Sequence, residues 1–234
     1  MIPWLSARDA FPPVTRALTE PNGLLAAGAD LSAARLLEAY RRGIFPWFNE
    51  DEPVLWWSPD PRMVLFVDEV RVSRSLRKVL RDDTFRVTFD QAFEDVMRGC
   101  AAPRDGQDGT WITEDMLDAY TGLAVSGAAH SVEVWQDDTL VGGLYGVSIG
   151  RMFYGESMFS RVSNASKVAL VSLARQLGRW QFEVIDCQMS TPHLALLGAR
   201  DVPREQFLEH VDRLTTLMPP SLPWRFDTDL HETA

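Results

Sequence analysis

The sequence predicts an α+β fold in which a small N-terminal α+β domain precedes a larger domain. Apolar residues at helical spacing and apolar residues at strand-like spacing occupy separate stretches of the chain. In residues 131–147, apolar and other residues alternate on either side of a turn, which is the pattern of an antiparallel hairpin. Prolines cluster at residues 53–61, which is typical of a boundary. We therefore predict domains at residues 1–61 and 62–234. A chain of 234 residues that is 46% hydrophobic can bury a sizeable core.

Composition argues against several classes of protein. A net charge of −10 disfavours broad adhesion to nucleic acid, which needs an excess of Lys and Arg. No run of about 18 apolar residues occurs, and no signal peptide is indicated, so we expect a cytoplasmic protein without a membrane contact. Cys100 and Cys187 are too few for a disulfide framework. The histidines lack metal-ligand spacing, so no metal site is expected.

The N-terminal domain is predicted to contain a helix over residues 31–42. Asp30 or Ser32 can accept hydrogen bonds from the free amides of its first turn, and Gly43 can end it. Four apolar side chains recur at helical spacing within it, which indicates one face packed on a core: Ala33, Leu36, Leu37 and Tyr40.

Tryptophans follow this helix in two runs. Trp56 and Trp57 are predicted core residues, because filling a core is the commoner role of large aromatics. Trp47, flanked by Pro46 on an irregular segment, either packs as well or is exposed as a platform on which a nucleic-acid base stacks.

Beyond the boundary, residues 63–67 predict a strand and residues 73–81 a helix. One face of this helix is basic, because four cations fall at helical spacing: Arg74, Arg77, Lys78 and Arg81. A contact with phosphates and a solvated face are equally compatible with this pattern. In the second interpretation the neutralising carboxylates are Glu69, Asp82 and Asp83.

Between the basic helix and the hairpin, the pattern predicts one strand and two helices, at residues 85–89, 91–97 and 114–125. Asp90 and Thr113 can cap the helices. Gly106 and Gly109 belong to the loop that joins them. Trp111 lies where this loop meets the second helix, a position that suits either packing or presentation.

The stretch Phe153–Lys167 is predicted to be a loop between a strand and a helix. It carries Glu156, hydroxyl side chains and Met158, and two interpretations of it are equally supported. It is either a functional loop or a polar connection whose helix is capped by Ser163 or Asn164. Glycines in the preceding strand predict a bulge or a close approach of another backbone.

Residues 182–188 predict a strand that ends in two polar side chains. A period of two places Asp186 and Gln188 on one face. A carboxylate and an amide at the end of an apolar strand are either buried with partners or open into a cleft. Helices are predicted at residues 191–197 and 203–218, followed by an extended tail.

Seven motifs occur along nearly the whole chain: Pro21-Asn-Gly-Leu-Leu25, Gly43-Ile-Phe-Pro-Trp-Phe48, Leu55-Trp-Trp-Ser-Pro-Asp-Pro-Arg62, Gly109-Thr-Trp-Ile-Thr113, His130-Ser-Val-Glu-Val-Trp135, Gly155-Glu-Ser-Met-Phe-Ser160 and Ile185-Asp-Cys-Gln188. In this order they resemble the motifs of the leucyl/phenylalanyl-tRNA-protein transferase family. The resemblance implies that the larger domain has an acetyltransferase-like (GNAT) mixed-sheet fold, used with aminoacyl-tRNA. It also implies transfer of Leu or Phe, with Met as a further donor, to proteins with N-terminal Arg or Lys, which are then degraded by the N-end rule.

The resemblance assigns catalysis to Asp186 and Gln188, with Gln188 contacting the acceptor amine and Asp186 orienting it or relaying its proton. Because an amide is a very poor base, the physical argument favours Asp186 as the proton acceptor. Glu156 is expected to bind positive charge on a substrate. Since the ester of aminoacyl-tRNA is already activated toward amines, no cofactor is expected.

By the same resemblance, Trp47 and Trp111 stack the 3′ adenosine of the tRNA. The donor side chain needs an apolar pocket, for which the candidate walls are Leu144, Met158, Leu170, Leu173, Leu177 and Ile185. The basic face of residues 74–81 becomes a candidate contact with tRNA phosphates. The partners are thus aminoacyl-tRNA and acceptor proteins, and the chain is expected to act as a monomer.

Three other functions compete with this interpretation. An acetyl-coenzyme A acetyltransferase would need a Gly-rich loop at the start of the helix near residue 165, and Ser160-Arg-Val-Ser163 is found there instead. A tRNA-dependent peptide-bridge transferase would share the donor chemistry and act on a cell-wall acceptor. A non-catalytic adaptor for basic N-termini would need Glu156 without Asp186 and Gln188.

Overall fold

The computed structural model describes residues 1–82, 84–103 and 110–231. It contains two β-sheets flanked by helices, which confirms the α+β class and the succession of a small N-terminal part and a larger sheet. Asp83, Gly106 and Gly109 lie outside the described residues. The predicted loop around Gly106 and Gly109 therefore stays a prediction. So does the predicted role of Asp83 in neutralising the basic face.

The smaller sheet has four strands in the order β1-β2-β4-β3: β1 (Trp4–Leu5), β2 (Leu24–Gly28), β3 (Phe45–Pro46) and β4 (Leu55–Trp57). Helix α1 (Ala33–Tyr40) connects β2 to β3. Of the two predicted caps, Ser32 is the one whose side chain accepts a hydrogen bond from a first-turn amide, the N–H of Arg35. Trp56 and Trp57 are buried, as predicted, and Trp47 is 37% exposed.

The larger sheet has seven strands in the order β11-β5-β10-β9-β8-β7-β6. Their bounds are β5 (Arg62–Phe66), β6 (Arg86–Phe89), β7 (Ala129–Gln136), β8 (Thr139–Ile149), β9 (Met152–Ser160), β10 (Val184–Gln188) and β11 (Arg200–Val202). The predicted hairpin is the antiparallel pair β7–β8. Among the described strands of this sheet, β9 and β10 form the one parallel pair, and they are joined at only two positions, Ile185 with Phe153 and Asp186 with Tyr154.

In the described residues, six further α-helices flank this sheet: α2 (Arg74–Arg81), α3 (Phe93–Ala101), α4 (Glu114–Val125), α5 (Ala165–Arg179), α6 (Pro192–Leu196) and α7 (Arg204–Leu214). Two hydrophobic cores lie on its opposite faces. Helices α2 and α5 contribute to one core. Helices α1, α3, α4 and α7 and the smaller sheet contribute to the other. Alternation along β5 sends Met63 and Leu65 to the first core and Val64 to the second.

The predicted loop at Phe153–Lys167 is the clearest correction to the sequence analysis. Strand β9 continues to Ser160, so Glu156 and Met158 belong to a strand, and the connection to α5 is only residues 161–164. Neither predicted cap acts as one: Asn164 occupies the cap position with φ of 73° and makes no capping hydrogen bond through its side chain. A bulged strand, and not a loop, therefore carries Glu156.

The C-terminal segment is more closely packed than predicted. Trp224 is 2% exposed, and its ring stacks on His130 with the ring centroids 3.5 Å apart. The domain boundary at residue 61 falls between the two sheets and remains a prediction. One hydrophobic core is continuous across it, since Trp56 and Tyr145 belong to the same cluster.

Candidate active site

A β-bulge in β9 positions Glu156. Ser157 pairs with Tyr145 and Gly155 pairs with Gly146, so Glu156 is the extra residue between two paired positions. Gly146 makes this geometry possible, because a Cβ atom there would lie 2.3 Å from the carbonyl oxygen of Tyr154. The bulge and close approach predicted from the glycines are both present.

The Glu156 carboxylate is half-buried and held by two tyrosines. The Tyr40 hydroxyl donates to Oε1 at 2.7 Å, the Tyr120 hydroxyl donates to Oε2 at 3.3 Å, and the two hydroxyls contact each other. Burial raises the pKa of Glu156 to about 7, and the negative charge of Asp186 acts in the same direction. The hydrogen bonds from Tyr40 and Tyr120 and the positive charge of Arg62 lower the pKa. Glu156 can therefore change its charge near neutral pH.

A second irregularity lies at the end of β10. Asp186 pairs with Val64 and Gln188 pairs with Met63, which leaves Cys187 as an extra residue. Gln188 has φ of 56°, a left-handed conformation that costs a non-glycine residue about 1–3 kcal/mol and is typical of functional sites. The simple period of two predicted for this strand therefore breaks at its end.

This irregular backbone brings Gln188 to Glu156. The side-chain amide of Gln188 donates to Oε1 of Glu156 at 3.4 Å, while its backbone N–H donates to Oδ1 of Asp186 at 2.9 Å. Strands β9 and β10 are no longer paired at this point, so the two side chains span the gap between them. The structure thus brings the three predicted polar residues together.

Asp186 forms a fully buried ion pair with Arg62. Nε of Arg62 donates to Oδ1 at 2.8 Å and a terminal nitrogen donates to Oδ2 at 2.7 Å, and both side chains are 0% exposed. The guanidinium also lies between the rings of Phe45 and Phe207, 4.7 and 4.6 Å from their centroids. A two-point contact of this kind is among the stronger charge-assisted interactions in proteins.

This ion pair bears on the role predicted for Asp186, which stays a prediction. Both oxygens of Asp186 accept from the guanidinium of Arg62, and Oδ1 also accepts from the backbone N–H of Gln188. This geometry suits a residue that fixes the backbone of Gln188.

A cavity of about 1190 Å³ opens beside these polar residues. It is lined by the predicted residues Trp47, Trp111, Leu144, Glu156, Met158, Leu170, Leu173, Ile185, Asp186 and Gln188. Leu177 is the exception: it is 0% exposed in the core and does not contribute to the lining, so it is not a wall of this pocket. The described lining residues include Glu50 and Asp51 and no Lys or Arg.

The basic face lies on α2. Arg74, Arg77, Lys78 and Arg81 are all exposed, and Leu76 and Leu80 anchor the opposite side in the core. Within the described part of the chain, none of the four forms an ion pair. Glu69, predicted as a neutralising partner, is instead engaged with Arg200.

Arg62, Tyr40 and Tyr120 are the site residues that the sequence analysis missed. Tyr40 is an apolar-stripe residue of α1 by its spacing, and nothing in that spacing indicates that its hydroxyl reaches Glu156. A signal for Arg62 does exist, because it is a cation at the start of an apolar strand, where a charge is tolerated only with a partner. In the described residues, no group of three or more His, Cys, Asp or Glu side chains could hold a metal ion.

Loss of Arg62 should destabilise the protein through Asp186. For Arg62→Met we expect the free energy of unfolding to fall by about 3–5 kcal/mol, because a buried carboxylate loses its partner. The double variant Arg62→Met/Asp186→Leu should recover most of this loss. Urea unfolding followed by circular dichroism measures both.

The exposed pair Arg98–Glu94 is the matched control. Its side chains are 52% and 53% exposed, so Arg98→Ala should lower the free energy of unfolding far less than Arg62→Met does. Equal losses for Arg62→Met and Arg98→Ala would contradict the importance given to the buried pair.

Comparison with known proteins places these features in a family. The family model described as leucyl/phenylalanyl-tRNA protein transferase matches residues 64–212, and the model of its N-terminal domain matches residues 29–60. The leucyl/phenylalanyl-tRNA–protein transferase of Nitrosospira multiformis is 60% identical over 227 residues, covering 97% of this chain and 98% of that protein. That of Thiobacillus denitrificans is 62% identical over 218 residues, covering 93% and 96%.

Similarity to solved structures is much weaker. An aminoglycoside acetyltransferase from an uncultured soil metagenomic sample has a TM-score of 0.36 and 11% identity, covering 61% of this chain and 96% of that chain. A TM-score this low carries no argument about function. The matches to the family models and to the full-length relatives are decisive: this chain belongs to the leucyl/phenylalanyl-tRNA-protein transferase family.

Proposed function

We propose that this chain transfers Leu or Phe, with Met as a further donor, from aminoacyl-tRNA to the α-amino group of proteins that begin with Arg or Lys. Such a transfer would mark the acceptors for N-end-rule degradation in the cytoplasm. The observation that carries the proposal is the network of Glu156, Gln188 and Asp186 beside a cavity with apolar walls.

The donor fits the apolar part of the cavity. Leu144, Leu170, Leu173 and Ile185 offer branched walls, and Met158 adds a flexible one that can adapt to a branched or an aromatic side chain. Trp47 and Trp111 line the same cavity and offer indole rings on which the 3′ adenosine can stack. One cavity can thus hold both ends of the aminoacyl ester.

The acceptor fits the acidic part of the cavity. Glu52 accepts hydrogen bonds from the backbone and side chain of Asn49, which closes the turn on which Glu50 and Asp51 are exposed. With Glu156, these carboxylates surround a space whose described lining contains no Lys or Arg. A substrate with an α-ammonium and a basic side chain carries two cations, and each could lie near a carboxylate, at Glu156 or at the turn of Glu50 and Asp51.

The reaction needs little covalent machinery. The α-amine of the acceptor attacks the ester carbonyl, a C–N bond forms, and the bond to the ribose oxygen breaks, with a proton passing from the amine to the leaving oxygen. Alignment alone can lower such a barrier by roughly 7 kcal/mol. In our proposal Gln188 holds the amine, Asp186 holds Gln188, and Glu156 receives the positive charge and proton of the substrate.

A transfer assay tests the reaction. Purified protein incubated with Leu-tRNA and a peptide that begins with Arg should add one leucine to the peptide amino terminus, detected by mass spectrometry. A peptide with an acetylated amino terminus is the control. Gln188→Ala should lower the single-turnover rate about 10²-fold, the cost of misplacing a reacting group, while Leu-tRNA binding is retained.

Two outcomes of this assay would contradict the proposal. Transfer to the side-chain amine of a cell-wall precursor, with none to Arg or Lys peptides, would identify a peptide-bridge transferase. Binding of basic peptides without any transfer would identify an adaptor.

The acidic turn should contribute to recognition of the acceptor. For the double variant Glu50→Gln/Asp51→Asn we expect KM for an Arg peptide to rise about three- to tenfold, because each exposed ion pair contributes up to about 1 kcal/mol. KM for Leu-tRNA should stay unchanged. Asp137→Asn/Asp138→Asn, which removes two exposed charges from the β7–β8 turn, is the matched control. An equal effect of both double variants on KM for the acceptor peptide would show that the acidic turn does not contribute to acceptor binding.

The basic face should contact tRNA phosphates. Arg77→Ala/Lys78→Ala is expected to weaken Leu-tRNA binding and to reduce the slope of log Kd against log salt by about two, since each lost phosphate contact lowers it by about one. Arg8→Ala/Arg16→Ala, which removes two exposed cations before β2, is the control. An unchanged slope in the α2 variant would show that this face is solvated and does not contact tRNA phosphates.

A further inference from the structure

Two buried tyrosines from different helices meet at the Glu156 carboxylate. Tyr40 ends α1, Tyr120 lies in α4, and both are 0% exposed. Their hydroxyls contact each other, and each reaches a different oxygen of Glu156. The end of α1 is also tied to β9 directly, because the Tyr154 hydroxyl donates to the backbone carbonyl of Tyr40 at 2.8 Å.

This arrangement matches a carboxylate better than a carboxylic acid. An ionised glutamate accepts hydrogen bonds on both oxygens, whereas a protonated one uses one oxygen as a donor. Hydrogen bonds from hydroxyls to a charged carboxylate are stronger than those to a neutral carboxyl group, so protonation of Glu156 would weaken both contacts. The tyrosines therefore favour the charged form of Glu156 and fix its direction.

We propose that Tyr40 and Tyr120 are positioning residues, which keep Glu156 ionised and aimed at the cavity so that it can receive the cationic amine of a substrate. Through Tyr40, the small N-terminal region supplies part of the active site. The functional consequence rests on the proposed transfer reaction, whereas the effect on Glu156 itself does not.

The surroundings of Glu156 explain why such support is needed. Burial raises its pKa, and the Tyr40 and Tyr120 hydrogen bonds act in the opposite direction. The titratable or charged groups that face it from the neighbouring elements are Tyr40 of α1, Arg62 of β5, Tyr120 of α4, Tyr145 of β8 and Asp186 of β10. Asp186 raises the pKa of Glu156 and Arg62 lowers it.

Tyr145 provides a matched control. It is as buried as the other two tyrosines and its ring packs edge-on against Tyr120, with the centroids 5.9 Å apart. Among the described residues, however, its hydroxyl has no hydrogen-bond partner. Tyr145→Phe therefore removes a hydroxyl from the same environment without removing a bond to Glu156.

The first test titrates Glu156 directly in the free protein. Glutamate labelled with ¹³C at the side-chain carboxyl gives one resonance per residue, and the one that Glu156→Gln removes is Glu156. We expect its midpoint to rise by about one pH unit in Tyr40→Phe and in Tyr120→Phe, because each variant loses a hydrogen bond to the charged form. In Tyr145→Phe it should stay at the wild-type value. An unchanged midpoint in both test variants, whose spectra would also show that they are folded, would overturn the proposal.

The second test measures single-turnover rates of the wild type and of Tyr40→Phe or Tyr120→Phe at several pH values. Dividing the wild-type rate by the variant rate removes the titration of the substrate amine, because that titration affects both rates equally. A rise of about one unit in the pKa of Glu156 predicts a ratio of about eight near pH 6.5 that falls to about one near pH 9. A ratio that is the same at all pH values would indicate a merely structural role and overturn the proposal. If the wild-type protein transfers nothing, the proposed function fails, and the carboxyl titration still decides the role of the tyrosines.

Discussion

The buried ion pair between Arg62 and Asp186 joins the parts of this protein that form the site. It connects the first residue of β5 to the end of β10. Arg62 also donates to the carbonyl of Gly43 and lies between Phe45 and Phe207, so the N-terminal region and α7 meet on one guanidinium. Burying two charges costs several kcal/mol per ion, and apolar residues of similar volume would often give equal or greater stability. The pair is therefore better explained by what it fixes than by the stability it adds.

What the ion pair fixes is an irregular end of the sheet. Asp186 accepts from the backbone N–H of Gln188, whose left-handed conformation would otherwise be strained and free to relax. On the neighbouring strand, a bulge turns Glu156 toward the same gap. A regular pair of strands would continue the ladder and close this space. Two local departures from regular β-structure, each held by buried polar contacts, keep β9 and β10 apart beside the cavity.

The sequence predicted the parts of this protein that depend on local pattern. The hairpin of β7 and β8, the span of α4 and a cap at Asp30 or Ser32 follow from alternation, helical spacing and side-chain chemistry over a few residues, and the structure selects Ser32 as the cap. Local pattern singled out the stretch around Glu156 and the pair Asp186 and Gln188, and the resemblance to a family assigned catalytic roles to that pair. Neither could show that Asp186 is neutralised by Arg62, because that contact joins residues 124 positions apart. The glycines of β8 predicted a bulge or a close approach, but not that Glu156 is the extra residue, because that depends on the register between β8 and β9. The part of β9 that carries Glu156 was taken for a loop. Tyr40 was correctly predicted as buried, but a stripe on a helix does not reveal what a hydroxyl reaches across the core.

The distribution of charge resolves an apparent conflict between an acidic protein and a proposed tRNA substrate. The exposed cations of α2 lie on a helix that packs against α5, whose Leu170 and Leu173 line the cavity. The cavity itself carries carboxylates and, in its described lining, no cation, so it would repel phosphates. A nucleic acid would therefore be held by its backbone outside, and only an end with little negative charge, such as an adenosine esterified to an amino acid that bears an ammonium group, would enter. On the proposed function, the same carboxylates would attract a basic amino terminus and repel the rest of the tRNA, so that one pattern of charge would select both substrates.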